Sequence, residues 1–118
     1  MPHYSNVGRT ETRYVKVDES VLYAYQTLFG MPLSQEVPLL FFARYWRGFT
    51  LFEPFIGAEV MLVDTTLKYV TPLYCDESIK ATLTFKSAKQ IKNFEQFRFE
   101  LVLNDSNVIQ QTFVWRNS

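Results

Sequence analysis

The chain has 118 residues, 12 Lys+Arg against 12 Asp+Glu, 47% hydrophobic residues, one cysteine and one histidine. This length predicts a single domain that buries roughly two thirds of the surface its unfolded form exposes. Cys75 and His3 alone are too few for a Cys/His zinc cluster or a disulfide framework, and the balanced charge argues against a nucleic-acid partner, whose phosphates demand an excess of basic groups.

The longest unbroken apolar stretch, residues 37–43, is far short of the ~20 residues that span a bilayer, so no membrane partner is expected. Residues 1–9 are polar and lack an apolar signal core, which places the chain in the cytoplasm with its lone thiol reduced. They are read as an N-terminal tail, and residues 10–118 as one domain without repeats or linkers.

In chain order, Arg13, Val15 and Val17 alternate with Tyr14 and Lys16 as a first strand. Asp18 offers an N-cap, and Glu19 puts an acid in the first turn of a helix. Val21, Tyr25, Leu28 and Phe29 share one face of that helix, and Gly30 ends it. Residues 34–49 predict a second helix, capped by Ser34 with Pro38 near its start. Leu39, Phe42, Ala43, Trp46 and Phe49 repeat at helical spacing, while Leu40, Phe41 and Tyr45 leave only a thin polar stripe of Arg44, Arg47 and Gly48. Such a helix needs a core around it.

Strands follow. Residues 59–70 place Met61, Val63, Thr65, Leu67 and Tyr69 on one face, and Pro72 ends the run. Ile79, Ala81, Leu83 and Phe85 alternate with Lys80, Thr82, Thr84 and Lys86. Phe97, Phe99, Leu101 and Leu103 alternate with Gln96, Arg98 and Glu100. A turn at Asn104, Asp105, Ser106 and Asn107 leads to a last strand, residues 108–115, so the final three strands read as an antiparallel meander. The expected class is α+β.

This order, with a long central helix wrapped by an antiparallel β-sheet, resembles the hot-dog fold. Lys68-Tyr69, Pro72-Leu73 and Asp76-Glu77 are similar in type and spacing to the MaoC-like hydratase/dehydratase group, with Cys75 standing where that group prefers glycine. Val37-Pro38-Leu39-Leu40 resembles the start of the central helix in hot-dog dehydratases. The resemblance implies a dimer, either a homodimer or a heterodimer with another hot-dog chain. It also implies acyl or aryl thioesters, carried by coenzyme A or acyl carrier protein, as ligands in fatty acid metabolism; no further cofactor and no metal is implied. MaoC-like hydratases carry an Asp and a His between the two helices, and residues 29–36 contain neither. The group's Asp/His motif is thus missing from this interval.

Glu36 is the remaining acid beside the central helix. It is a candidate base next to helix-terminal N–H groups that could polarise a thioester carbonyl, or else an exposed residue complementing the helix dipole. Ser34 and Gln35 divide in the same way between ligand contact and capping. Arg44 and Arg47 could hold the phosphates of coenzyme A or of a carrier's pantetheine arm, or else border solvent or a dimer partner. Lys86, Lys89 and Lys92 read as a solvated strand end. Cys75, between acidic neighbours, is a poor nucleophile. The aromatics from Phe41 to Phe55 read first as core and second as an acyl pocket. Two functions follow from the resemblance: a thioester-binding hot-dog subunit without the usual hydratase chemistry, or a thioesterase or (R)-specific enoyl-CoA hydratase-type enzyme with relocated catalytic groups.

Overall fold

The computed structural model describes residues 7–49 and 60–116, with backbone alone for Arg44, Trp46, Arg47, Gly48 and Arg116. His3, Phe52, Phe55 and the side chain of Trp46 lie outside the described residues. The elements are β1 (Thr10–Lys16), α1 (Glu19–Leu28), a central helix (Leu39–Gly48), β2 (Val60–Lys68), β3 (Ser78–Ile91), β4 (Phe94–Leu103) and β5 (Asn107–Arg116). The strands form one antiparallel sheet in the order β1-β3-β4-β5-β2. No helix of the described residues is long and apolar enough to cross a membrane.

The expected meander is β3-β4-β5, and its alternation decides what is inside. Ile79, Ala81, Leu83 and Phe85 of β3, Phe97, Phe99, Leu101 and Leu103 of β4, and Ile109 and Phe113 of β5 are all buried on one face. Within that face Phe85 stacks on Phe99 with ring centroids 4.6 Å apart, and Phe99 meets Phe113 edge-on at 6.3 Å. Leu22 of α1, Leu39, Phe41 and Phe42 of the central helix, and Phe49 just beyond it complete the same core. Among the described residues left-handed backbone is confined to turns, including Lys92 (φ 55°) between β3 and β4, and Asn104 (φ 51°) with Asp105 (φ 61°) between β4 and β5. Asn and Asp tolerate that region better than most residues.

The central helix is buried against the sheet as anticipated, but it winds as a 3₁₀ helix of ten residues and begins at Leu39, not Ser34. The amide of Phe41 donates to the carbonyl of Pro38 at 3.0 Å, an i to i+3 bond. A three-residue winding stacks side chains spaced three apart, and Leu39, Phe42 and Tyr45, all buried or half-buried, have that spacing. Residues 34–38 form a non-helical lead-in with a bend at Gln35.

Two faces differ from the sequence pattern. In α1 the buried residues are Leu22 and Gln26, whereas Val21, Leu28 and Phe29 are exposed, Leu28 by 78%. In β2 a bulge between Leu62 and Asp64 breaks the alternation. Leu62, Thr65 and Leu67 lie opposite the inward residues Phe113, Gln111 and Ile109, while Met61, Asp64, Thr66 and Lys68 lie opposite Val114, Thr112, Gln110 and Val108. Val63 therefore does not share a face with Thr65 and Leu67 in simple alternation.

Candidate functional site

The lead-in to the central helix is held from several sides. Gln26 is 1% exposed; its Nε2 donates to the carbonyl of Ser34 at 3.1 Å and of Glu36 at 3.5 Å, and its Oε1 accepts the Ser34 amide at 3.2 Å. The amide of Val37 donates to the Leu73 carbonyl at 2.6 Å, and that of Cys75 to the Gln35 carbonyl at 2.9 Å. Glu36 and Tyr74 form an antiparallel bridge. A polar residue in a core normally has its hydrogen bonds made, and Gln26 makes its bonds to this strap.

The result is a fixed backbone under an exposed Glu36 side chain, three residues ahead of the central helix. Glu36 is therefore not a first-turn residue, and the first turn of that helix holds no acid. Tyr69, the first residue beyond β2, lies near enough to the Glu36 carboxylate and the Leu73 amide for its phenol to interact with both. Partial burial, and after it the nearby Glu36 carboxylate, raise the Tyr69 pKa above its ordinary 10.0, with the Leu73 amide opposing. The phenol thus keeps its proton throughout the physiological range. Asn107 anchors the chain beyond Tyr69. Wholly buried, it accepts the amides of Val70 and Thr71 at 2.6 and 3.0 Å and donates to the Thr71 carbonyl at 2.9 Å.

The other sequence candidates separate. Ser34 Oγ accepts the Glu36 amide at 3.1 Å, closing a local turn, and Gln35 uses its carbonyl on Cys75. Arg44 and Arg47 lie on the central helix, with side chains outside the described residues. Lys86, Lys89 and Lys92 are exposed. Cys75 is buried, and its thiol lies with the carboxylates of Glu19 and Asp76 in a group whose potential ligand atoms are within 4.8 Å of one another. Burial, then Asp76 and Glu19, push the thiol pKa up. A protonated thiol is both a weak nucleophile and a weak metal ligand. The left-handed position of this turn is Asp76 (φ 63°) rather than Cys75, so the residue standing where the MaoC-like group prefers glycine needs no glycine here.

Tyr69 and Gln26 were missed as site residues. Tyr69 had a signal, as the aromatic of the Lys68-Tyr69 pair; Gln26 had none, because polar residues are read as outward. Glu95 is another missed inward acid: it shares the parity of Phe97 and Phe99 on β4 and is 9% exposed.

Residues 1–117 match the family described as "Uncharacterised conserved protein VraC". Protein VraC of Staphylococcus haemolyticus (strain JCSC1435) is 32% identical over 111 residues, covering 91% of this chain and 88% of that protein. The chain belongs to the VraC family. Among solved structures, the C-terminally truncated HadBC (3R-hydroxyacyl-ACP dehydratase) complex from Mycobacterium tuberculosis matches with a TM-score of 0.73 at 13% identity, over 92% of this chain and 96% of the other. A MaoC-like dehydratase from Rhodospirillum rubrum matches with a TM-score of 0.61 at 12% identity, over 95% of this chain and 94% of the other. This member of the VraC family has the hot-dog fold of the MaoC-like dehydratases. At these identities the likeness extends to the fold and no further.

Proposed function

We propose that this VraC-family chain binds an acyl or aryl thioester, presented by coenzyme A or an acyl carrier protein, as a paired subunit without the usual hydratase chemistry. The observation that carries this reading is the exposed Glu36 side chain at the head of the central helix, on a strap whose backbone is bonded by Gln26, Leu73 and Cys75, with Tyr69 nearby. Hydration across an enoyl thioester requires one group to take a proton and another to deliver one within hydrogen-bond reach. Residues 29–36 contain no Asp or His, and the sole histidine, His3, is outside the described residues. Glu36 with Tyr69 nearby offers a polar anchor on a backbone held by Gln26, Leu73 and Cys75. Leu28, Phe29, Leu33 and Leu40, exposed around it in sequence, supply apolar surface that an acyl or aryl group would cover. HadBC, a complex by its description, makes a second hot-dog chain a reasonable kind of partner.

The exposed carboxylate of Glu36 on a held backbone also supports a second reading, an enzyme in which Glu36 activates water against a thioester, as a thioesterase or a hydratase-type enzyme with relocated groups. Assaying pure protein on a panel of acyl- and enoyl-CoA compounds separates the two. The binding reading expects saturable binding with no turnover. Turnover that Glu36→Gln lowers by roughly 10²-fold or more would overturn it in favour of the enzyme.

A further inference from the structure

The 12 cations and 12 acids of the chain balance in number, but the described ones are not evenly placed. Asp18, Glu19, Asp76 and Glu77 gather around Lys16 at one end of the sheet, where the Asp76 amide donates to the Val17 carbonyl at 3.0 Å and Lys16 pairs with Ser78. From Ser78, β3 runs 14 residues, roughly 40 Å at about 3.3 Å per residue, to the hairpin that joins it to β4. That hairpin is basic. Residues 86–94 include Lys86, Lys89 and Lys92, all exposed, and no acid. Arg98 on the outward face of β4, opposite Ser87, and Arg9, whose carbonyl accepts the Phe85 amide at 3.0 Å, are exposed beside them. None of these cations makes an ion pair among the described residues. Of the acids around them, Glu95 is turned inward and 9% exposed, Glu100 is on the far side of Arg98 from the tip, and Asp64 is separated from Arg98 by β5.

The tip adds apolar surface to this charge. Ile91 and Phe94 are the last cross-strand pair, 44% and 38% exposed, and share the outward face with Lys89 and Arg98. Between them Lys92 takes a left-handed backbone (φ 55°), and its carbonyl accepts Gln90 Nε2 at 3.5 Å. Glycine or asparagine suits that position better, so the turn carries a cation at a cost in backbone energy. Cations alone would suit any polyanion in solution. Cations set around an exposed aliphatic and aromatic pair suit an anionic bilayer, whose surface attracts the charge and whose headgroup boundary takes up the apolar groups.

We infer that the β3–β4 hairpin docks on an anionic lipid surface, with Ile91 and Phe94 entering the headgroup boundary and Lys86, Lys89 and Lys92 meeting the lipid phosphates. The acidic end of the sheet is repelled by the same surface, so the separation of charge orients the molecule tip first. Contact of this kind needs no membrane-spanning segment. Glu36, bridged to Tyr74 beside the Cys75 turn, is at the far end; docking therefore leaves that strap open and does not depend on its having a thioester ligand.

Co-sedimentation of the full chain with vesicles at low ionic strength tests the proposal. Vesicles of equal parts phosphatidylcholine and phosphatidylglycerol should pellet the protein, phosphatidylcholine alone should not, and added salt should release it. Lys86→Ala, Lys89→Ala and Lys92→Ala should each weaken binding roughly fivefold. The double variant I91S/F94S should weaken it about tenfold or more, with the circular dichroism of wild type. Phe94→Trp keeps an aromatic ring at the tip, and should add an emission that moves to shorter wavelength on the anionic vesicles only; it reads insertion even where I91S/F94S fails to fold. Wild type that stays in solution with the anionic vesicles overturns the inference. So does binding that the lysine variants or a folded I91S/F94S leave unchanged, or a Phe94→Trp emission that does not move. If soluble polyglutamate binds in such a case, the hairpin is a dock for an acidic protein instead.

Discussion

Asp18 shows how one side chain sets both an element boundary and a pH dependence. Its carboxylate accepts the Ser20 amide at 2.8 Å and the Ser20 hydroxyl at 2.6 Å, ending the lead from β1 and starting α1. These bonds hold its pKa below the ordinary 3.8. A carboxyl whose folded pKa is depressed contributes stability that is fully present above its unfolded pKa and is lost as the pH falls through the folded one. Asp18→Ala should therefore melt below wild type at neutral pH, with the gap narrowing under about pH 4 and closing once the native carboxyl is protonated. Thermal melts followed by circular dichroism across that range check it. A gap independent of pH would assign the capping to another group. This cap was legible in the sequence because an Asp before a helical run has one dominant use.

At the scale of elements, legibility depended on whether hydrogen bonds or apolar contacts decided the outcome. β3 and β4 alternate as their sequences do, because each has strands on both sides and one face against the core. The face of α1 was not legible. Its apolar spacing favours Val21, Tyr25, Leu28 and Phe29, yet Gln26 is turned inward by three backbone groups of residues 34–36 that periodicity cannot see. Gln26→Leu preserves side-chain bulk and removes those bonds. It should destabilise the fold by about 1–3 kcal/mol, the cost of leaving buried backbone groups unsatisfied, and should weaken any ligand held at Glu36. Urea denaturation checks the first part as a lower midpoint at unchanged slope. Stability equal to wild type would mean that water replaces the amide and that the strap is held by residues 73–75 alone.

For the whole molecule, the aromatic residues divide between two jobs that composition does not separate. Phe85, Phe97 and Phe99 are within 1% of complete burial at the centre of the sheet, whereas Phe29 is 63% exposed at the end of α1 and touches Tyr25 at a centroid distance of 4.8 Å. Alternation in the strands and helical spacing in α1 make both sets look like core, but Phe29 is the C-cap just past the last residue of α1 and is exposed there. The same physics that makes the sheet face legible therefore makes the α1 surface illegible: a pattern reports which residues are apolar, not whether the chain has enough partners to cover them. Phe99→Ala should cost about 3–5 kcal/mol through the cavity it leaves between Phe85 and Phe113, a large part of the roughly 5–15 kcal/mol expected of a domain. Phe29→Ser should change stability by no more than about 0.5 kcal/mol and should reduce acyl-thioester binding if this surface covers the acyl chain. Parallel denaturation and binding measurements on the two variants check the division. If Phe29→Ser cost as much stability as Phe99→Ala, the α1 face would be packed within the chain, and the apolar surface left for a ligand beside Glu36 would shrink to Leu33 and Leu40.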